Sequence, residues 1–87
     1  MLKAYIRDRK KIYFDGQAAS VTSINDTGEF DILSNHAAFT SLIRDFVTVD
    51  KGLPTEKKFE VEKGVLNVKN DNLRVYVGFE LDDKAIF

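Results

Sequence analysis

Lys57-Lys58-Phe59-Glu60-Val61-Glu62 is the clearest alternating stretch of the chain, and after Lys63-Gly64 the alternation resumes in Val65-Leu66-Asn67-Val68-Lys69. Apolar side chains two residues apart lie on one face of an extended backbone, so Phe59 and Val61 are expected to face inward. Neither segment has the i, i+3, i+4, i+7 spacing of an amphipathic helix. Strands are expected on both sides of Gly64.

Outward from this stretch the same pattern recurs in both directions. Asn70-Asp71-Asn72 reads as a turn into Leu73-Arg74-Val75-Tyr76-Val77, and Lys51-Gly52-Leu53-Pro54 as the turn that follows Phe46-Val47-Thr48-Val49-Asp50. Near the start, Leu2-Lys3-Ala4-Tyr5-Ile6-Arg7 alternates and stops at the charged Asp8-Arg9-Lys10-Lys11. Ile12-Tyr13-Phe14 follows, with Asp15-Gly16 as an expected hairpin dipeptide before a strand over Ala18 to Ile24. Asn25-Asp26-Thr27-Gly28 is a further turn cluster before Glu29-Phe30-Asp31-Ile32-Leu33, and Ser34-Asn35 reopens the backbone. Ala37 to Ile43 fits either a strand or one helical turn, and the last eight residues fit a docking strand or helix. Many short strands separated by turns predict an all-β domain, a two-sheet β-sandwich or a small barrel.

Eighty-seven residues and no repeat or linker give one domain over 1–87. Without cysteine its stability must come from packing, and hydrophobic residues make up 44% of the chain, enough for a core. Charges interrupt every apolar run, so no membrane span is expected, and the absence of a basic-then-apolar leader makes the cytoplasm the default compartment. Thirteen basic and fourteen acidic side chains leave a net charge of −1, so any partner is recognised by local features.

The chemistry-bearing residues point away from catalysis. His36 is the single histidine, nothing around it resembles a nucleophile elbow, and without cysteine a zinc site lacks ligands. Asp26, Glu29 and Asp31 could offer oxygens to calcium but have no calcium-loop spacing, and the five glycines are too scattered to cradle phosphate. Thus no catalytic, metal or cofactor residue is expected. Arg7, Arg9, Lys10 and Lys11 beside Tyr5, Tyr13 and Phe14 allow a second reading as a small β-barrel module that stacks single-stranded nucleic acid. The acidic pI of 5.7 and the missing basic stripe weigh against it.

Gly28-Glu29-Phe30-Asp31-Ile32-Leu33-Ser34-Asn35-His36-Ala37 resembles the signature of ATP synthase epsilon subunits, Gly-Glu-apolar-Gly-Ile-apolar-Pro-x-His-Ala. Phe14-Asp15-Gly16 upstream, Phe59 to Val68 and Asn72 to Val77 downstream resemble further family segments, so the resemblance covers about residues 2–80. Asp31 stands where the family has its second glycine and Ser34 where it has proline, both expected in the turn region. The family's C-terminal helical hairpin has no counterpart in these residues. Its braking of ATP hydrolysis, and the ATP binding of some members, are therefore not expected of this chain, whether a naturally short form or a piece of a longer one.

The resemblance implies a β-sandwich of about ten short strands at the foot of the central stalk of a rotary proton-translocating ATP synthase. Such a part is non-catalytic: it docks the gamma subunit onto the membrane c-ring, couples rotation to ATP synthesis, and lies peripherally on the cytoplasmic face of the membrane. By position, Glu29 corresponds to the c-ring contact, and His36, Ala37, Ala38 and Phe39 to the segment toward gamma. For His36 a hydrogen bond that fixes the turn ranks first, contact with gamma second and a proton switch third. Phe30, Ile32 and Leu33 are expected in the core, Leu42 and Ile43 in either place. The isolated domain is expected to be a monomer.

Overall fold

A computed structural model describes residues 1–78, and all of its regular structure is β. The strands are β1 (Leu2–Arg7), β2 (Ile12–Ala18), β3 (Ser20–Asn25), β4 (Gly28–Leu33), β5 (Phe39–Val49), β6 (Lys57–Lys69) and β7 (Asn72–Val77). They hydrogen-bond in the order β2-β1-β7-β6-β5-β3-β4, with β1 and β7 parallel and every other pair antiparallel.

This one ladder folds over into two layers because β5 and β6 each serve in both. The part of β6 that pairs with β7 is its second half, Gly64 to Lys69, whereas the part of β5 that pairs with β3 is its second half, from Arg44 onward. Between the halves the register shifts: Arg44 pairs with Lys63 and Asp45 with Val61, which leaves Glu62 as an extra residue, and Asp45 has a φ of 70°. Such bulges bend the strands that carry them. The first layer is β2-β1-β7 with the second half of β6 and the first half of β5; the second is the remaining halves with β3 and β4. Contacts between edges far apart in the ladder close the fold. Tyr13 of β2 meets Phe59 of β6 at 6.1 Å, and Phe30 of β4 meets Phe39 of β5 at 5.5 Å.

The β-sandwich expectation holds, with seven strands in the described residues rather than about ten. Gly64 and the Arg44–Asp45 bulge bend strands that the sequence pattern divides. Gly64 is also a point of close approach: a Cβ there would lie 2.8 Å from the Tyr76 carbonyl oxygen and 3.3 Å from Val77 Cα. Between the layers sit Leu2, Ile6, Val21, Ile32, Val47, Val49, Leu66, Val68, Leu73 and Val75, all essentially inaccessible. Phe59 and Val61 pack against this core as the alternation predicts.

Three expectations need correction. Asp15-Gly16 is not a turn, since Asp15 pairs with Tyr5 and Gly16 with Ala4 inside β2. The reversal is earlier, where the Asp8 carboxylate accepts the Lys10 and Lys11 amides at 2.6 and 2.7 Å and the Tyr13 hydroxyl as well. The Ala18–Ile24 strand is broken at Ala19, where the chain leaves the first layer for the second. Asp31 lies in the β4 ladder opposite Thr22, outside the turn. The expectation for the last eight residues concerns a segment outside those described.

Asp50 secures the crossing at Ala19. Its amide donates to the Ser20 carbonyl at 2.9 Å, and its carboxylate accepts the Ala19 amide at 2.6 Å and the Thr55 hydroxyl at 2.7 Å. The Thr55 hydrogen bond, with the backbone donors behind it, holds this buried carboxyl below its ordinary value against the effect of burial. Asp8 is held at about 2, first by the Tyr13 hydroxyl and then by the Lys11 and Lys10 amides.

Gly64→Ala is expected to destabilise the domain by about 1–3 kcal/mol, because backbone must move to admit the methyl. Gly16→Ala, whose added Cβ would meet nothing closer than 3.7 Å, is the near-neutral control; urea unfolding of both checks this. For Asp50 and Asp8 the folded-state values lie below the unfolded ones, so their contribution is fully present above the unfolded carboxylate range near 3.8 and is lost as pH falls through the folded values. Thermal midpoints should stay level from pH 7 to about 5 and fall below about 4. Asp50→Asn should flatten that acid limb while lowering stability at neutral pH, and an unchanged limb would remove Asp50 from the account.

Candidate functional site

The residues singled out by sequence fall at two separate places. His36, Ala37, Ala38 and Phe39 form the corner between β4 and β5, while Glu29 lies at the far end of β4 beside the β3–β4 hairpin. Four strand steps between Glu29 and Leu33 span about 13 Å.

At the corner, a turn over Leu33 to His36 is closed by the His36 amide donating to the Leu33 carbonyl at 3.2 Å. Asn35 occupies the left-handed region with φ 65°, a conformation that asparagine adopts more readily than most residues. Its amide donates at 2.7 Å to the Asp71 carboxylate, which belongs to the turn between β6 and β7. His36 Nδ1–H donates to the Ala37 carbonyl at 2.7 Å. The ring is therefore the donor that fixes the segment beyond the turn.

Aromatic contacts continue inward from there. His36 stands edge-on to Phe39 at 5.7 Å, and Phe39 is likewise edge-on to Phe30, an arrangement that adds to simple burial. Ala37 and Ala38 are exposed, and no helical turn forms, because Phe39 begins β5. The corner thus offers two methyl groups on backbone held from both sides. Phe30 and Ile32 are core as expected, whereas Leu33 is 57% exposed; Ile43 is buried and Leu42 is 64% exposed.

Glu29 is exposed and its Oε2 lies 3.2 Å from the ammonium of Lys51, a residue of the β5–β6 loop. An exposed pair of this kind contributes about 0–1 kcal/mol, so the carboxylate can exchange Lys51 for another cation at little cost. Asp26 and Asp31 go elsewhere. Asp26 lies 3.8 Å from Arg44 at the hairpin tip, and Asp31 accepts the hydroxyl of buried Thr22. The three carboxylates face different partners, and the described residues hold no group of three or more metal-ligating side chains.

The basic hairpin is also tied down locally. Lys11 lies over the Tyr13 ring at 4.8 Å, and the Arg7 guanidinium donates to the Asp8 carbonyl at 2.9 Å and to the Tyr5 hydroxyl at 3.2 Å. Sequence reasoning missed Asp71, Phe30 as the floor beneath Phe39, and Lys51 as the partner of Glu29. The Asn35–Asp71 contact joins residues 36 positions apart and leaves no local pattern.

Residues 1–78 match the family described as ATP synthase, Delta/Epsilon chain, beta-sandwich domain. The ATP synthase epsilon chain of Clostridium novyi (strain NT) is 33% identical over 67 residues, covering 74% of this chain and 50% of that protein. The chain therefore spans half the length of this relative. A chain in the Euglena gracilis mitochondrial ATP synthase structure (OSCP/F1/c-ring, rotational state 1) superposes with a TM-score of 0.79 at 12% identity, covering 97% of this chain and 57% of that one. A chain of the Tetrahymena thermophila mitochondrial ATP synthase central stalk and c-ring gives 0.70 at 13% identity, covering 99% and 77%. At these identities the two structures speak to the fold alone.

The corner's dependence on Asp71 can be tested without disturbing the turn that carries it. Asn70 and Asp71 both have positive φ, 52° and 61°, so glycine fits position 71. Asp71→Gly is expected to leave the hairpin intact and to speed hydrogen exchange at the Asn35 amide by about tenfold, one charge-assisted hydrogen bond's worth. An unchanged rate would mean that the corner is held by its aromatic contacts alone.

Proposed function

We propose that this chain, which belongs to the ATP synthase delta/epsilon chain β-sandwich family, is a non-catalytic part of the central stalk of a rotary proton-translocating ATP synthase. It docks the gamma subunit onto the c-ring and so helps couple rotation to ATP synthesis, peripherally on the cytoplasmic face of the membrane. The observation that carries the reading is the family match over residues 1–78, which includes both candidate contact regions.

The geometry supports a division of labour. Ala37 and Ala38 stand exposed on a corner backed by His36, Phe39 and Phe30, and they suit an apolar contact with gamma. Rigid, partly apolar ground loses little entropy on binding. Glu29 suits the other partner, because among the described residues its exposed carboxylate is held by Lys51 alone and can meet a basic or amide side chain of a c-ring loop. One such contact is weak, so Glu29 orients the ring-facing end while the corner supplies affinity. The two partners are then met about 13 Å or more apart along β4, at opposite ends of one strand.

Titration calorimetry of the full chain into the gamma subunit of the same organism tests this. A one-to-one complex is expected, weakened about tenfold by Phe39→Ala, which removes the support of the corner, and changed less than about twofold by Glu29→Ala. Folding of both variants is checked by thermal melting. A folded chain that forms no complex with gamma, by heat or by gel filtration, sinks the stalk reading.

A further inference from the structure

The outer face of the first layer departs from the polar surface that a solvated sandwich face usually presents. The register sets Ile12 beside Arg7, Arg7 beside Tyr76, Tyr76 beside Val65 and Val65 beside Leu42, a single row across five strands. Ile12 is 50%, Tyr76 39% and Leu42 64% exposed. Four inter-strand steps make the row about 19 Å long. In the other layer the corresponding row is Asp31, Thr22, Thr48 and Lys58, all polar although its two threonines are buried.

Cations flank this apolar row. The next row holds Tyr5 and Arg74, with Asp15 as its acid, and the row beyond it holds Lys3 and Lys69. Among the described residues the ion pairs are Arg44 with Asp26, which borders the Leu42 end of the row beside Lys63, and Lys51 with Glu29. The Arg7 guanidinium is oriented by two neutral acceptors, the Asp8 carbonyl and the Tyr5 hydroxyl, so it is positioned in advance. Shallow clefts beside Tyr76 are lined by Lys3, Tyr5, Arg74 and Asp15 and by Arg7, Arg9 and Asp8, two cations to one acid in each.

We propose that this face docks an acidic amphipathic segment of a partner protein, apolar side chains along Ile12, Tyr76, Val65 and Leu42 and carboxylates against Arg7, Arg74 and Lys3. Charge complementarity selects the acidic partner, and tyrosine beside arginine is the composition of interface anchors. A helix of about 13 residues covers the row at about 1.5 Å per residue. Nucleic acid fits less well: Ile12, Val65 and Leu42 have no π face for bases to stack on, and the net charge of −1 gives no attracting field. The proposal is read from this face alone and does not rest on the stalk reading.

The test titrates the isotope-labelled full chain with a synthetic helical peptide of about 18 residues, leucine along one face and glutamate on its flanks. The same peptide with lysine for glutamate, and an oligothymidine, serve as comparisons. Amide shifts at Val65, Arg74 and Tyr76 are expected with the acidic peptide, with affinity falling as salt rises. Tyr76→Ala and Leu42→Ser should each weaken binding by about tenfold, and Arg7→Gln with Arg74→Gln should flatten the salt dependence, all without lowering the melting temperature. The proposal is overturned by equal binding of the lysine peptide, by tighter binding of oligothymidine, by no binding, or by a chain dimer that Tyr76→Ala dissociates.

Discussion

The close pass of Gly64 under the Tyr76 carbonyl, beside the bulge that offsets Arg44–Asp45 from Val61–Lys63, lets one hydrogen-bonded sheet act as two layers. Were β5 and β6 straight, the chain would be an open seven-stranded sheet, with Leu66 and Val47 on a face too wide to cover. By bending together they bring β2 over the first half of β6 and β4 against the first half of β5. The two aromatic contacts then form at edges that are remote in the ladder. A small domain without disulfides has little else to close it.

Bending a sheet leaves polar groups off the ladder, and the structure answers each with a side chain from the facing strand or loop. The bulge displaces the Phe46 carbonyl, and buried Ser23 donates to it at 2.7 Å. The Ala19 amide, released where the chain crosses between layers, is taken by Asp50. The β3–β4 hairpin is held by Asn25, whose side-chain oxygen accepts the Thr27 and Gly28 amides. Among the described residues no buried side-chain nitrogen or oxygen lacks a partner. Each of these bonds contributes about 1 kcal/mol made and costs more left unmade, so they decide where the bends fall more than how stable the fold is.

The sandwich was legible because alternation survives in every strand, and Leu2, Ala4 and Ile6 or Leu73, Val75 and Val77 need only period two to be assigned to the core. The strand count was less so, for a glycine that bends a strand and one that ends it leave the same mark in sequence. Asp15-Gly16 carries the composition of a turn, but the Asp8 carboxylate had already turned the chain over Asp8 to Lys11, and Gly16 extends β2 instead. The family resemblance led to Glu29 and to the His36 corner, where the turn is closed by the His36 backbone amide and the ring bonds instead to the neighbouring Ala37 carbonyl. What it could not supply was the support: Asp71 and Lys51 reach the site from other loops, and nothing local announces a contact across 36 or 22 residues.

The same architecture bears on how such a part transmits force. In a sandwich of two independent sheets, a load applied to one layer reaches the other only through side-chain packing and the connecting loops. Here β5 and β6 run continuously through both layers, paired along eleven registered positions, so the layers share a backbone hydrogen-bonded spine. The His36 corner enters that spine at Phe39, the first residue of β5, and the apolar row crosses it at Val65 and Leu42. Glu29 reaches it differently, through β4 and β3, whose partner is the second half of β5. In the stalk reading, a push at the ring-facing end is thereby carried to the corner along strands, and the contacts at either end can remain individually weak while the body between them stays stiff.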